Sequence, residues 1–404
     1  MLFKYIRDET LGDYLSSRDG FKYLQRVMKC VAWLPPKRGT RFYWPYIMWM
    51  IWIHFTVNIY LPIMILTSYI INFKLFKAHE LLGSVQVFFN VMSLVYKVIV
   101  NFINIWRFEK LMEMLDTLDK RCIQFNQQSE VHRSAVRCNM VFLAFHATYA
   151  FYSTFTYLGA TLTGSTPWVI YNPFVDYRTS TRNLWIAATS EYIIGSGAIY
   201  ADEITDLYPV LFSLTLRTHL KLLAKRIETL RTDPELTEEQ NYEQLVNCVK
   251  DHQLLLQYCD MLRSVISRTF FIQLLVIGLG LGLSLINLMS FVTFSNSLST
   301  ILFILILLIQ TFPFCYVCER IHDDCYNLSS ALFYSKSIDA SRRYKSTFLY
   351  FLQNTQIPIE FTAGSLFPIC MRTNLTFAKF AFSVVTIVKQ TNIVEKLKLR
   401  LGET

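Results

Sequence analysis

The chain has 404 residues, 53% hydrophobic and 15% aromatic, with a positive mean hydropathy and a formal net charge of +9. That composition describes an integral membrane protein and excludes an ordinary soluble core. The charge reads as a membrane-topology signal rather than a nucleic-acid footprint, so no nucleic acid is expected as a partner.

Residues 1–45 open the chain without the continuous apolar region of a cleavable signal peptide. Phe21, Leu24, Met28 and Val31 recur at helical spacing with Lys22, Arg26 and Lys29 between them. This predicts an amphipathic helix, lying under the bilayer or merely solvated. Seven apolar stretches follow, at 46–71, 81–105, 140–162, 185–216, 269–294, 298–317 and 373–394. Each has the ~20 residues that a helix needs to cross ~30 Å of hydrocarbon. The fifth and sixth are nearly free of charge, whereas the fourth holds Asp202, Glu203 and Asp206 and the seventh Lys379 and Lys389. Lys97 and Arg268 also lie within or at the ends of spans.

Most of the 39 Lys and Arg fall in the amino-terminal segment and in the loops after the second, fourth and sixth spans. Insertion favours Lys and Arg on the cytosolic side. The expected fold class is therefore all-α and integral to the membrane: seven transmembrane helices, a cytosolic amino terminus and an extracellular carboxy terminus. All nine cysteines fall on the same predicted inner side or in the inner half of the membrane, as suits a protein without a disulfide framework. An epitope at the amino terminus reachable from outside intact cells would overturn this orientation.

Residues 46–216 form the first four spans. Their outer halves carry Phe88, Phe89 and Met92 in the second, Tyr149, Tyr152, Ser153 and Thr156 in the third, and Tyr192, Ser196 and Tyr200 in the fourth. Apolar walls with a few hydroxyls suit a pocket for a small hydrophobic ligand. Helix packing or an interfacial belt is the bland account of the same aromatics. The outer loop 163–184, with Pro167, Trp168, Pro173, Phe174 and Asp176, can cover such a pocket.

Residues 217–268 read as a cytosolic helical hairpin. An amphipathic pattern continues to Leu230 and stops at Asp233 and Pro234. Thr237 and Gln240 then form a capping box that starts a helix running into the fifth span. Spans five and six occupy 269–317. Residues 318–372 read as cytosolic anchor helices, one capped by Asp339 or Ser341 and ended near Gln356 by Pro358. Such a bundle serves subunit assembly or effector docking.

The last span, 373–394, places Lys379, Ser383, Thr386 and Gln390 on one helical face, with Phe377, Phe380, Ala381, Val384 and Val388 over much of the rest. A polar stripe inside a bilayer must face protein or water. Contact with a neighbouring helix explains it, and so does a pore lined by several copies of this helix. Residues 395–404 form an extracellular tail.

Catalytic motifs are lacking: there is no HExxH, GxSxG or Walker sequence, so neither an enzyme nor a cofactor is expected. Cys315, Cys318, His322 and Cys325 share one helical face, which cannot by itself surround a zinc ion. The glycosylation sequons at Asn327 and Asn374 fall on the predicted cytosolic side. Asp202, Glu203 and Asp206 can attract cations near an inner mouth or serve a structural role.

In the carboxy-terminal third, several pieces follow one another in order. They are Pro313 to Tyr316, Ala331 to Tyr334, Arg342 and Arg343, Gln356 to Pro358, Thr362 to Gly364, and Phe367 and Pro368. With Phe377 and Ser383 of the last span, this ordered set resembles the carboxy-terminal signature of insect odorant receptors. Two departures are Cys318, where that family commonly has glycine, and the lack of a tryptophan shortly after Tyr334. The resemblance implies an odorant-gated, nonselective cation channel. It implies a ligand-tuned subunit in a tetramer with a shared odorant co-receptor of the same fold, packed through the cytosolic anchor. The last helix would line the pore, with Ser383, Thr386, Gln390 and Ile393 at the pore positions and Lys389 turned away. Small volatile odorants would enter the outer halves of the second, third, fourth and sixth helices. The expected setting is the cell membrane of olfactory sensory neuron dendrites, with lipid around the spans. A gustatory-type channel is the nearer alternative, although Ile387, Ile393 and Val394 depart from the ending of that branch. A G-protein-coupled receptor or a transporter is more distant, lacking the expected motifs or internal repeat.

Overall fold

Inside a bilayer the backbone must satisfy its own polar groups, so long apolar runs fold as helices. The computed structural model describes residues 4–6, 14–36, 38–72, 76, 78–290 and 294–390. Its helices are α1 (Lys22–Cys30), α2 (Tyr43–Phe55), α3 (Leu61–Asn72), α4 (Ala78–Ile103), α5 (Ile105–Asp119), α6 (Phe125–Leu162), α7 (Thr181–Glu228), α8 (Glu238–Ser290), α9 (Phe294–Phe333), α10 (Arg342–Thr355) and α11 (Met371–Gln390). Among the described residues, every predicted span falls on these helices, the first on α2 and α3 together, while 291–293 and 391–394 lie outside the described residues. Among the described residues, four segments are long and apolar enough to cross a membrane by length and composition: Tyr43–Asn72, Leu81–Ile103, Glu238–Ser290 and Thr300–Phe333. The predicted third, fourth and seventh spans are helical but more polar.

A wide π-turn at Thr56–Tyr60 joins α2 to α3. Pro62 explains it. Proline has no N–H for the carbonyl one turn earlier, and a π-turn lets the helix continue past the missing bond.

α7 and α8 are far longer than a bilayer is thick. At 1.5 Å per residue, the 53 residues of α8 extend about 80 Å. Its start is the expected capping box: the Thr237 N–H donates to Gln240 Oε1 at 2.8 Å and the Gln240 N–H to Thr237 Oγ1 at 3.3 Å. α7 ends at Glu228, earlier than Pro234 demands, and the chain reverses with Arg231 at φ 56°. α10 is capped by Ser341 and docks on the start of α8, where the Ser341 N–H donates to Glu238 Oε1 at 2.7 Å. After α10 the chain makes a short antiparallel pair, β1 (Thr362–Ala363) with β2 (Phe367–Pro368). Its turn needs glycine: Gly364 has φ 59° and donates its N–H to the Ser267 carbonyl, and a Cβ there would meet the Phe271 ring at 2.8 Å.

The amino-terminal stripe corrects one expectation. Phe21, Leu24, Met28 and Val31 are buried in the main core, with Phe21 against Phe108 of α5 and Phe212 of α7. Protein supplies the apolar surface that a bilayer was expected to supply, leaving Arg26 and Lys29 outside. Polar bonds fix the segment. Ser17 donates its N–H and its hydroxyl to Asp119 at 2.7 Å each, and Asn139 Nδ2 donates to the carbonyls of Tyr5 and Asp19. His219 lies 3.0 Å from the same Ser17 hydroxyl. Burial pushes the Asp119 carboxyl up to about 6 despite those bonds, and pushes the His219 imidazole down to about 3. Nearby, fully buried Asp251 pairs with Arg121 and with Arg226, the latter at 2.5 Å. This charged end is held by ion pairs.

A ligand cavity, its lid and the last helix

Between α3, α4, α6, α7 and α9, near the loop 163–180, lies a cavity of about 90 Å³. Val87, Val91 and Leu94 of α4, Ile199 of α7 and Phe303 and Ile306 of α9 supply apolar walls. Trp168 and Ile170 of the loop close its outer side, and Tyr149, Asp202 and Gln310 form a polar floor. A second cleft, of about 410 Å³, adjoins it and shares Val87, Tyr152, Trp168 and Phe303. Trp168 thus borders both spaces.

The loop is clamped, not draped. Glu191, buried in α7, accepts the N–H groups of Trp168 at 3.0 Å and Ile170 at 3.1 Å. The Ser68 hydroxyl donates to the carbonyl of Val169, whose backbone stands at φ 54°. Gly195 makes room for the tryptophan, since a Cβ at that position would sit 2.2 Å from the indole ring. Both the carboxylate and the glycine belong to the turns of α7 that pass under the loop.

The floor is a closed polar cluster. Lys97 of α4 sits 2.5 Å from Asp202 Oδ1, and donates to Asp206 Oδ1 at 2.9 Å and Gln273 Oε1 at 2.6 Å. Gln273 Nε2 donates to Gln310 Oε1 at 2.6 Å, Gln310 Nε2 to Asp202 Oδ2 at 2.9 Å, and the Tyr149 hydroxyl to Asp206 Oδ2 at 3.0 Å. Polar groups at this depth persist only when they find one another. Glu203 faces elsewhere, 2.9 Å from His146 Nδ1. The three acids of the fourth span therefore hold helices together, the structural alternative to cation attraction.

The predicted pocket residues divide. Tyr149 and Tyr152 reach the two spaces, and Thr156 lines the outer cleft with a buried, unpartnered hydroxyl. Ser153 is buried and donates to the Ala150 carbonyl of its own helix. Phe88 packs on Tyr69, while Phe89 and Met92 face outward from α4. Tyr192 stacks on Tyr157 at 4.7 Å, and Ser196 lines neither space. On α4 the lining positions are Val87, Asn90, Val91 and Leu94, a neighbouring stripe of the helix. The loop with Trp168 was expected over the pocket; Glu191, Gly195 and the pairing of Lys97 were not foreseen. A carboxylate inside an apolar run, as at Glu191, is the signal that points to a buried partner.

α11 lies along α8 through small residues: Gly278 faces Phe377 and Phe380, and Gly282 faces Val384 and Ala381. Lys379, Ser383, Thr386 and Gln390 are exposed on this single chain. The Ser383 and Thr386 hydroxyls donate to the carbonyls of Lys379 and Phe382 in their own helix. Near its start α11 is tied to α9, where Thr311 donates to Asn374 Oδ1 at 3.3 Å. Ile393 and the side chain of Lys389 lie outside the described residues.

Comparison with known proteins follows this geometry. The 7tm Odorant receptor family model matches residues 77–382. Odorant receptor 42b of Drosophila melanogaster is 45% identical over 98% of this chain and 100% of its own. Odorant receptor 59b of the same fly is 42% identical over the same shares. Among solved structures, the insect olfactory receptor OR5 from Machilis hrabei in complex with eugenol aligns with a TM-score of 0.76. That alignment covers 93% of this chain and 99% of the receptor at 16% identity, a likeness of fold.

Proposed function

The chain belongs to the odorant receptor family, and from that premise we propose that it is the ligand-tuned subunit of an odorant-gated, nonselective cation channel. Its partner is a shared co-receptor of the same fold, with which it assembles as a heterotetramer in the dendritic membrane of olfactory sensory neurons. The amino terminus and the charged ends of α7 to α10 face the cytosol, where they form the anchor. The tail after α11 faces outward. The distribution of Lys and Arg supports this sidedness.

The observation that carries the reading is the lidded cavity, with apolar walls, a polar floor and Trp168 over its outer side. Pockets of that character take small hydrophobic molecules. The exposed polar stripe of α11 supports the channel half of the proposal: Ser383, Thr386 and Gln390 line the ion path once copies of the helix gather round an axis.

The test is co-expression with a co-receptor, a panel of volatile esters, alcohols, ketones and aromatics, and substitution of Gln390. We expect odorant-evoked current, with Gln390→Ala and Gln390→Glu shifting relative cation permeability while leaving ligand ranking alone. Current with unaltered permeability and block across these variants would remove α11 from the pore.

A further inference from the structure

The cavity floor has more acceptors than donors. Lys97 spends its ammonium on Asp202, Asp206 and Gln273, and the hydrogen bonds of Tyr149 and Gln310 also end on the two carboxylates. Two carboxylates offer about eight lone-pair sites, and the contacts within the cluster fill four of them. One ammonium also stands against two carboxylates. Of the three charged groups Asp202 alone lines the cavity, and its side chain keeps 15% of its surface open, against 2% for Lys97 and 4% for Asp206. Asp202 Oδ1 is enclosed, so the acceptor left to meet a ligand is Oδ2, which already takes one bond from Gln310. The wall opposite it is mostly apolar, formed by Val87, Val91, Leu94, Ile199, Phe303 and Ile306, with Asn90 as a polar exception.

We propose that Asp202 selects ligands by a hydrogen-bond donor: small apolar molecules that end in O–H or N–H, held with that end on the Asp202 carboxylate. This rests on the cavity being the odorant site. A ketone, ether or ester brings only lone pairs to the floor, where they meet those of the carboxylate. A site that leaves a buried polar group facing the wrong partner discriminates strongly against the analogue. Lys97 acts as a positioning residue. With both Asp202 and Asp206 on its ammonium, it fixes which face of Asp202 remains open.

The experiment uses the full chain co-expressed with a co-receptor and a matched six-carbon series: primary alcohol, primary amine, methyl ether and ketone. We expect the alcohol or the amine to activate at concentrations about 10-fold to 100-fold below the ether and ketone, as a hydrogen bond to a charged group would give. Whichever of the two is preferred identifies the donor. Asp202→Asn, which adds a donor of its own, should bring the series within about 3-fold. An ether or ketone equal to the alcohol and the amine on the parent receptor would overturn the proposal. So would an unchanged ratio in a surface-expressed Asp202→Asn variant, and the parent series decides by itself if that variant does not reach the surface. Ile199→Trp separates the two layers of the argument by filling the cavity. If it leaves every response intact, the cavity is not the odorant site. If it abolishes all of them while the parent shows no preference for donors, only the selection rule fails.

Discussion

Replacing Lys97 with methionine keeps the length of the side chain and removes its ammonium. Three acceptors lose their partner at once: Asp202 Oδ1, Asp206 Oδ1 and Gln273 Oε1. With only 2% of its surface open, Lys97 leaves no room for water to replace it. Breaking a buried ion pair by deleting one partner costs about 3–5 kcal/mol, because the surviving charge stays behind unpaired. Native proteins are stable by only about 5–15 kcal/mol, so Lys97→Met should stand near the edge of folding. At about 2 °C per kcal/mol in a large chain, melting in detergent should fall by about 6–10 °C. Neutralising the survivors should reverse most of that loss: Lys97→Met with Asp202→Asn and Asp206→Asn should melt well above the single variant. Fluorescence-detected size exclusion after heating reads both. A single variant within about 2 °C of the parent, or a triple variant less stable than the single, would refute the account of the cluster as an interlocked charge network.

Two further predictions concern the lid and the charged end. Gly195→Ala drives a methyl into the Trp168 ring and should cost about 1–3 kcal/mol, weakening odorant responses; Trp168→Leu in the same chain should restore stability, and failure of that rescue in a thermal assay would break the link between the two positions. The raised Asp119 favours the fold below its ordinary value of 3.8, an effect lost as pH rises through about 6, worth about 3 kcal/mol at most. His219 acts oppositely, its contribution being present above 6.5 and lost as pH falls toward about 3. Between about pH 4 and 6 the two offset each other, so Asp119→Asn should make stability in detergent fall more steeply on acidification; an unchanged or shallower slope would count against the buried pair.

The helical scaffold was legible because its signals are local. The Thr237 capping box, the Ser341 cap and the small and apolar face of α11 each depend on residues a turn or two apart. Position around a helix axis is a different matter. Phe88, Phe89 and Met92 drew attention by size, yet the rotation of α4 is set by the helices packed on it and turns Val87, Val91 and Leu94 inward instead. Lys97 was visible as a charge in a span, but its partners lie more than a hundred residues away on α7 and α8. Glu191 and Gly195 acquire meaning only once the loop carrying Trp168 is laid across them. Outward-facing aromatics and an inward stripe at the amino terminus show the same limit: amphipathicity says that a face is buried, not what covers it.

The floor cluster draws one or two side chains from each of five helices, α4, α6, α7, α8 and α9. A lineage that changes its diet one substitution at a time can alter the aliphatic positions freely, since each swap there is small and self-contained. The cluster offers no such steps, because any first change strands its neighbours. New tastes in odour should accumulate around the rim of the chamber while its base is inherited whole.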